Sequence, residues 1–242
     1  TVVRISSSLL KDLNRELSKS IENQIEKFDE NILLFLPNLT KINLIVDDKK
    51  YTFTKKVDEM DSKRIKLLIE SPERNEEVEY CVYTPQNDIY IEDRLVRMAI
   101  AIPRDKNVEC DRPMYTFFPI GKQDSPFNAL FHATFDLDDN RETISKLDIN
   151  KEIFKELLKL YTEVVTENFC KTEFENRCLE LLCPKNFLRQ FWVGWFDSPF
   201  DSSEIKEYYL SLCREKAKFF TVNADFILNS DKPKVIEDAT EF

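Results

Sequence analysis

The chain has 242 residues, 42% hydrophobic and 12% aromatic with 19 Phe, enough for a sizeable core and too aromatic for a disordered chain. Its 45 acidic residues outnumber 35 basic ones, giving a net charge of -10, which argues against a general nucleic-acid coat while leaving room for a local basic groove. Only two glycines occur, Gly121 and Gly194, far apart. A phosphate-cradling loop needs glycines so that backbone can approach the phosphates, so the chain carries no P-loop or dinucleotide fingerprint of its own.

No apolar stretch reaches the length of about 18 residues that a membrane-crossing helix needs. No secretory signal is visible, because Arg4 is followed by serines rather than an apolar run. The chain opens on Thr1 rather than Met, and the expectation is a piece of a longer, cytoplasmic polypeptide. The six cysteines, Cys81, Cys110, Cys170, Cys178, Cys183 and Cys213, are sparse for the length and read as free thiols. With His132 the only histidine, the ligand inventory offers no metal site.

In chain order, Thr1 to Ile5 predicts a short strand. Leu9, Leu10, Leu13, Leu17, Ile21, Ile25 and Phe28 recur at helical spacing and predict a long amphipathic helix. From Lys41 the period becomes two. Ile42, Leu44 and Val46 lie on one strand, Asp47 to Lys50 on a turn, and Tyr51 to Val57 on a hairpin partner. Further strands are predicted at Arg64 to Ile69, Val78 to Tyr83, Leu95 to Ile102 and Met114 to Phe118, with Pro72, Pro85, Pro103 and Pro113 between them. The charged runs Asp58 to Arg64 and Glu73 to Glu79 read as solvated loops or edges.

After Arg141 the pattern turns helical. Asn150 is placed to cap a helix bearing Ile153, Phe154, Leu157, Leu158, Tyr161, Val164 and Val165. A shorter helix follows at Phe174 to Leu182. Phe187 to Trp195, with Trp192 and Trp195 flanking Gly194, is an aromatic-rich packing or interdomain patch. Asp201 to Ser203 cap a last helix reaching Ala217, with Glu204 in its first turn. Phe219 to Leu228 reads as a terminal strand or hairpin, and Lys232 to Phe242 as an exposed tail. Strands in succession without intervening helices give an α+β class with an antiparallel or mixed sheet. The switch of period places a domain boundary near Asp148, dividing 1–147 from a mainly helical 148–242.

The segment from Tyr115 to Ile144 carries the most chemistry. It reads as a strand, a polar loop at Gly121 to Ser125, a second apolar segment and an acidic turn ending in Arg141. Lys122 and Gln123 on an exposed loop make a candidate phosphate-facing tip. An arginine after a sheet and before a helix can reach a phosphate with both arms of its guanidinium. Arg141 could equally pair with Asp136, Asp138, Asp139 or Glu142, an ion pair worth about 0–1 kcal/mol at a surface. His132, among Phe and Ala, reads as a core histidine rather than a base.

Phe117, Phe118, Pro119, Pro126, Phe127, His132, Ala133, Phe135 and Arg141 stand in an order that resembles the second, transducer domain of GHKL-type ATPases, closest to the sacsin-like and heat-shock-ninety-like branch. The run Asn31 to Ile42 is similar to the segment before the first strand of that domain, and Thr1 to Ile5 to the last strand of the preceding nucleotide-binding domain. The resemblance spans about Thr1 to Ile144. It implies that ATP and Mg are held in an upstream domain outside this chain. This piece would then supply a basic residue to the γ-phosphate: Arg141, within Asn140-Arg141-Glu142-Thr143, as in the chaperone branch, or Lys122, as in the gyrase and MutL branches. It also implies a chain that is not catalytic alone, with that upstream domain as partner, and further protein partners or self-association. Nucleic acid and membranes are not expected partners. The alternative expectation is a non-catalytic interaction or scaffold domain. An independent enzyme finds no nucleophile-base pair here.

Overall fold

The computed structural model describes residues 19–21, 24–25, 28–46, 48–105, 108, 113–167, 177–182 and 204–215, with the backbone alone at 122, 123 and 179. The expected strand at Thr1 to Ile5, most of the helix ending at Phe28, the patch around Trp192 and Trp195, the terminal strand from Phe219 and the tail lie outside the described residues. So do Cys110, Cys170 and Cys183.

The class is α+β. The strands are β1 (Lys41–Val46), β2 (Lys49–Val57), β3 (Arg64–Glu70), β4 (Asn75–Tyr83), β5 (Ile89–Ile91), β6 (Arg94–Val96), β7 (Met98–Pro103), β8 (Pro113–Thr116), β9 (Phe118–Asp124) and β10 (Leu130–Ala133). Eight of them hydrogen-bond in the order β1-β2-β3-β4-β7-β10-β8-β9, and β5 with β6 forms a separate hairpin. Pairs β1–β2, β2–β3, β7–β10 and β8–β9 are antiparallel, whereas β10 runs parallel to β8. The helices are α1 (Ile32–Phe35), α2 (Asp148–Glu167) and α3 (Cys178–Leu182), and residues 204–215 are also helical.

The chain divides into two compact units, Thr1–Tyr80 and Cys81–Phe242. The division falls inside β4, and α2 packs back onto β7 and β10.

In the first unit the predicted β1–β2 hairpin forms, with Lys49 and Lys50 already in the strand. Tyr51 and Phe53 of β2 are buried, with Thr52 between them buried as well, while Ile65, Leu67 and Ile69 alternate inward from β3, as a half-covered sheet requires. Phe28 packs its ring 4.9 Å from that of Phe53. All four residues of α1 are buried. Lys55, also buried, donates from Nζ to the Leu36 carbonyl at 2.6 Å, just past the end of α1. This places a cation where the helix dipole is negative, and burial pushes the lysine pKa down. Exposed pairs such as Lys66 with Glu77 decorate the surface and contribute little. The charged run at Glu73 to Glu79 is part loop and part strand: Asn75, Glu76 and Glu77 open β4 with exposed side chains.

In the second unit the strand expected from Leu95 to Ile102 is two strands. Arg94–Val96 turns back on Ile89–Ile91 through Glu92 and Asp93, both at positive φ (50° and 62°), and Met98–Pro103 joins the main sheet. Two adjacent left-handed residues are the signature of a two-residue hairpin turn, here without the usual Asn or Gly. Every residue of β7 and β10 is buried, since both faces are covered. Across them lies the main core. Phe127 stacks near Phe131 (5.8 Å), Tyr161 (4.6 Å) and Tyr209 (5.1 Å). The predicted stripe of α2, from Ile153 to Val165, is wholly buried in this core. The hydroxyls of Tyr161 and Tyr209 donate to the carbonyls of Leu181 and Leu182, which satisfies the C-terminal turn of α3. Lys151 and Lys155 of α2 both pair with Glu204.

Candidate functional site

The segment from Tyr115 to Ile144 is organised by β8, β9 and β10. At Phe117 the chain reverses with φ 69°, so Thr116 pairs with Phe118. The polar loop expected at Gly121 to Ser125 is strand: Gly121, Lys122, Gln123 and Asp124 belong to β9, at the edge of the sheet. Polar residues on an edge strand mimic a loop in sequence, because one side of such a strand faces no partner strand. A Cβ at Gly121 would meet nothing within 4 Å, so close approach within this chain does not require the glycine.

His132 sits in the middle of β10, 3% exposed, beside Tyr115 of β8 and Ala99 of β7. Its Nδ1 donates to the Tyr115 carbonyl at 3.3 Å, which places the proton of the neutral ring on Nδ1. The Phe117 ring lies 4.8 Å from the imidazole. Burial lowers its pKa to about 4, with the Tyr115 and Ala133 backbone contacts opposing and Arg97 assisting. It is a neutral core residue and not a general base.

Arg141 is reached by the chain as it leaves β10. The loop from Asp136 to Ser145 closes by backbone bonds: Ser145 N to Asp136 O (2.9 Å), Asp138 N to Thr143 O (3.0 Å) and Arg141 N to Asp138 O (2.9 Å), with Leu137 bridged to Ile144. Asp138 organises its tip. Its carboxylate accepts from Glu142 N (2.9 Å), Thr143 N (3.2 Å) and the Thr143 hydroxyl (3.1 Å). These bonds, the Thr143 amide first, hold its pKa below the usual carboxylate range. The loop is fastened at its base from two sides. Arg94 Nη1 sits 2.7 Å from both Asp136 oxygens, and its Nη2 donates to Thr134 O (2.9 Å). Asn150, wholly buried, donates from Nδ2 to Asp136 O and to Ser145 O and Oγ, and accepts from Asp136 N. Asn150 therefore lies inside the first turn of α2 and bolts the loop to it, rather than capping the helix.

Arg141 itself has φ 58° and an exposed side chain. An arginine in the left-handed region costs roughly 1 kcal/mol relative to glycine. Its guanidinium forms no hydrogen bond or ion pair among the described residues. The four acidic neighbours that could have captured it do not: Asp136 is held by Arg94, and Asp138 by its own loop.

Register separates the candidates. His132 opposes Tyr115, whereas Pro113 opposes Asp124, so Lys122 and Gln123 run beside the start of β8. Arg141 follows the exit of the parallel strand β10, at the other end. Among the described residues no group of three or more His, Cys, Asp or Glu could hold a metal ion, and no helix is long and apolar enough to cross a membrane. Cys81, Cys178 and Cys213 form no disulfide. Comparison of the chain with protein-family models, with curated proteins and with solved structures gave no match.

Proposed function

We propose that the chain works as the transducer module of a GHKL-type ATPase, with Arg141 contacting the phosphates of an ATP held by another domain. The observation that carries this reading is an exposed, partnerless guanidinium on a backbone that is tightly fixed and strained. Strain persists only where the surroundings over-determine it, and it concentrates at working positions. A pre-set cation suits charge that builds on a transferring phosphoryl group, because no reorganisation is needed at the moment of reaction.

The nucleotide fits this chain at that one contact. Two glycines give no phosphate loop, so this reading assigns ATP and its metal to a partner domain. Lys122 and Gln123 stand second, as an edge-strand pair that would meet a nucleotide only from the opposite end of β8.

The test is steady-state ATP turnover of the full-length protein. Arg141→Ala should lower turnover about 10²-fold, the scale for losing one pre-organised donor. Lys122→Ala should leave it close to wild type. If neither substitution changes turnover, the module is an interaction or scaffold domain. The chain alone, titrated with ATP in a calorimeter, should show no dissociation constant in the range of about 1 μM.

A further inference from the structure

The eight-stranded sheet ends in two edge strands, β1 and β9, and they differ. Strand β9 carries Pro119, which has no N–H to offer, shifts register against β8, and bears Lys122 and Asp124. Proline, irregular register and charge are the means by which an edge is kept from pairing with a foreign strand. Strand β1, Lys-Ile-Asn-Leu-Ile-Val, has none of these beyond Lys41 at its start, and its register with β2 is regular throughout. Its Ile45 is 69% exposed.

The outward backbone groups of β1 follow from the ladder. Lys55 N donates to Thr40 O at 2.7 Å, and Lys41 opposes Thr54 in register. Thr40 therefore stands in a hydrogen-bonded pair with Lys55. Such pairs alternate along an antiparallel ladder, so Ile42, Leu44 and Val46 also bond to β2. Lys41, Asn43 and Ile45 turn their N–H and C=O groups away from β2, and no described strand pairs with them there. The Asn43 side chain is tied back within the hairpin, its Oδ1 accepting from Thr52 Oγ1 at 3.1 Å.

We infer that β1 pairs antiparallel with β1 of a second copy of this chain, about a two-fold axis at Asn43. That register uses all three outward residues. Lys41 faces Ile45, Asn43 faces Asn43 and Ile45 faces Lys41, each pair exchanging two hydrogen bonds. No like charges meet, whereas an axis at Lys41 would set lysine against lysine. Between these pairs Ile42 meets Leu44 of the second copy, at the positions where side chains approach most closely. Both are only half-buried in one copy, so pairing covers apolar surface that the edge leaves open. Any strand offers backbone groups, but the symmetric placement of Lys41 and Ile45 about Asn43 fits this strand to itself.

Sedimentation equilibrium of the 242-residue chain tests this, in about 0.15 M salt to screen the repulsion of two acidic chains. One strand pair is a small contact, so the dissociation constant should be on the order of 100 μM. Amide hydrogen exchange reads the register. The amides of Lys41, Asn43 and Ile45 should gain protection as concentration rises through that range, while those of Ile42, Leu44 and Val46 should be protected at every concentration. Ile45→Pro removes an outward N–H and spares the ladder with β2, so it should abolish the dimer. Asn43→Asp keeps an acceptor for Thr52 and sets two carboxylates face to face, so it should weaken dimerisation at least about tenfold. If Ile45→Pro does not fold, Asn43→Asp still decides. The inference fails if the chain stays monomeric up to about 1 mM. It fails equally if either folded variant dimerises like the wild type, or if dimers form without protecting those three amides.

Discussion

Strand β10 and the loop that follows it are neighbours in sequence and opposite in design. In β10 every side chain is buried, and His132 is locked by Tyr115 and Phe117. In the loop the backbone is fixed by Asp138, Asn150 and Arg94, while the Arg141 side chain is left in solvent. A titratable group surrounded by partners serves the fold. A charged group whose backbone is held and whose head is free is available to something else. The contrast teaches that chemistry here should be sought where order stops at the Cβ.

The comparison is sharpened most by substitutions in the strand. Phe131→Ala should cost about 3–5 kcal/mol in denaturant unfolding, the range for a fully enclosed aromatic. A loss below about 1 kcal/mol would mean that β10 is not core.

The next effect is a pH dependence from the sole histidine. Its folded pKa, about 4, lies below the ordinary 6.5, so the unfolded chain binds the proton first. His132 therefore contributes full stability above pH 6.5 and loses it as pH falls toward 4, by about 3 kcal/mol in all. His132→Gln should flatten that window in a series of urea melts. An unchanged slope would show that other groups cause it.

The loop's attachment comes third. Asn150→Ala strands the backbone of Asp136 and Ser145 and should cost about 1–3 kcal/mol. Amide hydrogen exchange at Arg141 and Thr143 should quicken with it. Smallest is Arg141 itself. Its side chain anchors nothing among the described residues, so Arg141→Ala should change stability by less than about 0.5 kcal/mol. Arg141→Gly should be neutral to stabilising by up to about 1 kcal/mol, because glycine accepts the left-handed backbone.

The alternation of β1 and the stripe of α2 were legible in sequence, because one more deeply covered face imposes a period on each. The β5–β6 hairpin was not, since Glu92 and Asp93 give no glycine or asparagine signal for their turn. Strand β9 read as a loop because Gly121, Lys122 and Gln123 occupy an edge, where polarity is compatible with a strand. Arg141 was legible as a residue in a familiar order, but its fixed, strained backbone was not, because the bonds that make it come from Asp138 and from Asn150 on the next helix.

The central claim is that Arg141 is held for chemistry and not for stability. Unfolding free energy and ATP turnover, measured together on full-length Arg141→Ala, separate the two. The account predicts stability within about 0.5 kcal/mol of wild type and turnover reduced about 10²-fold. Unchanged turnover, or a loss of turnover matched by a loss of fold, would contradict it.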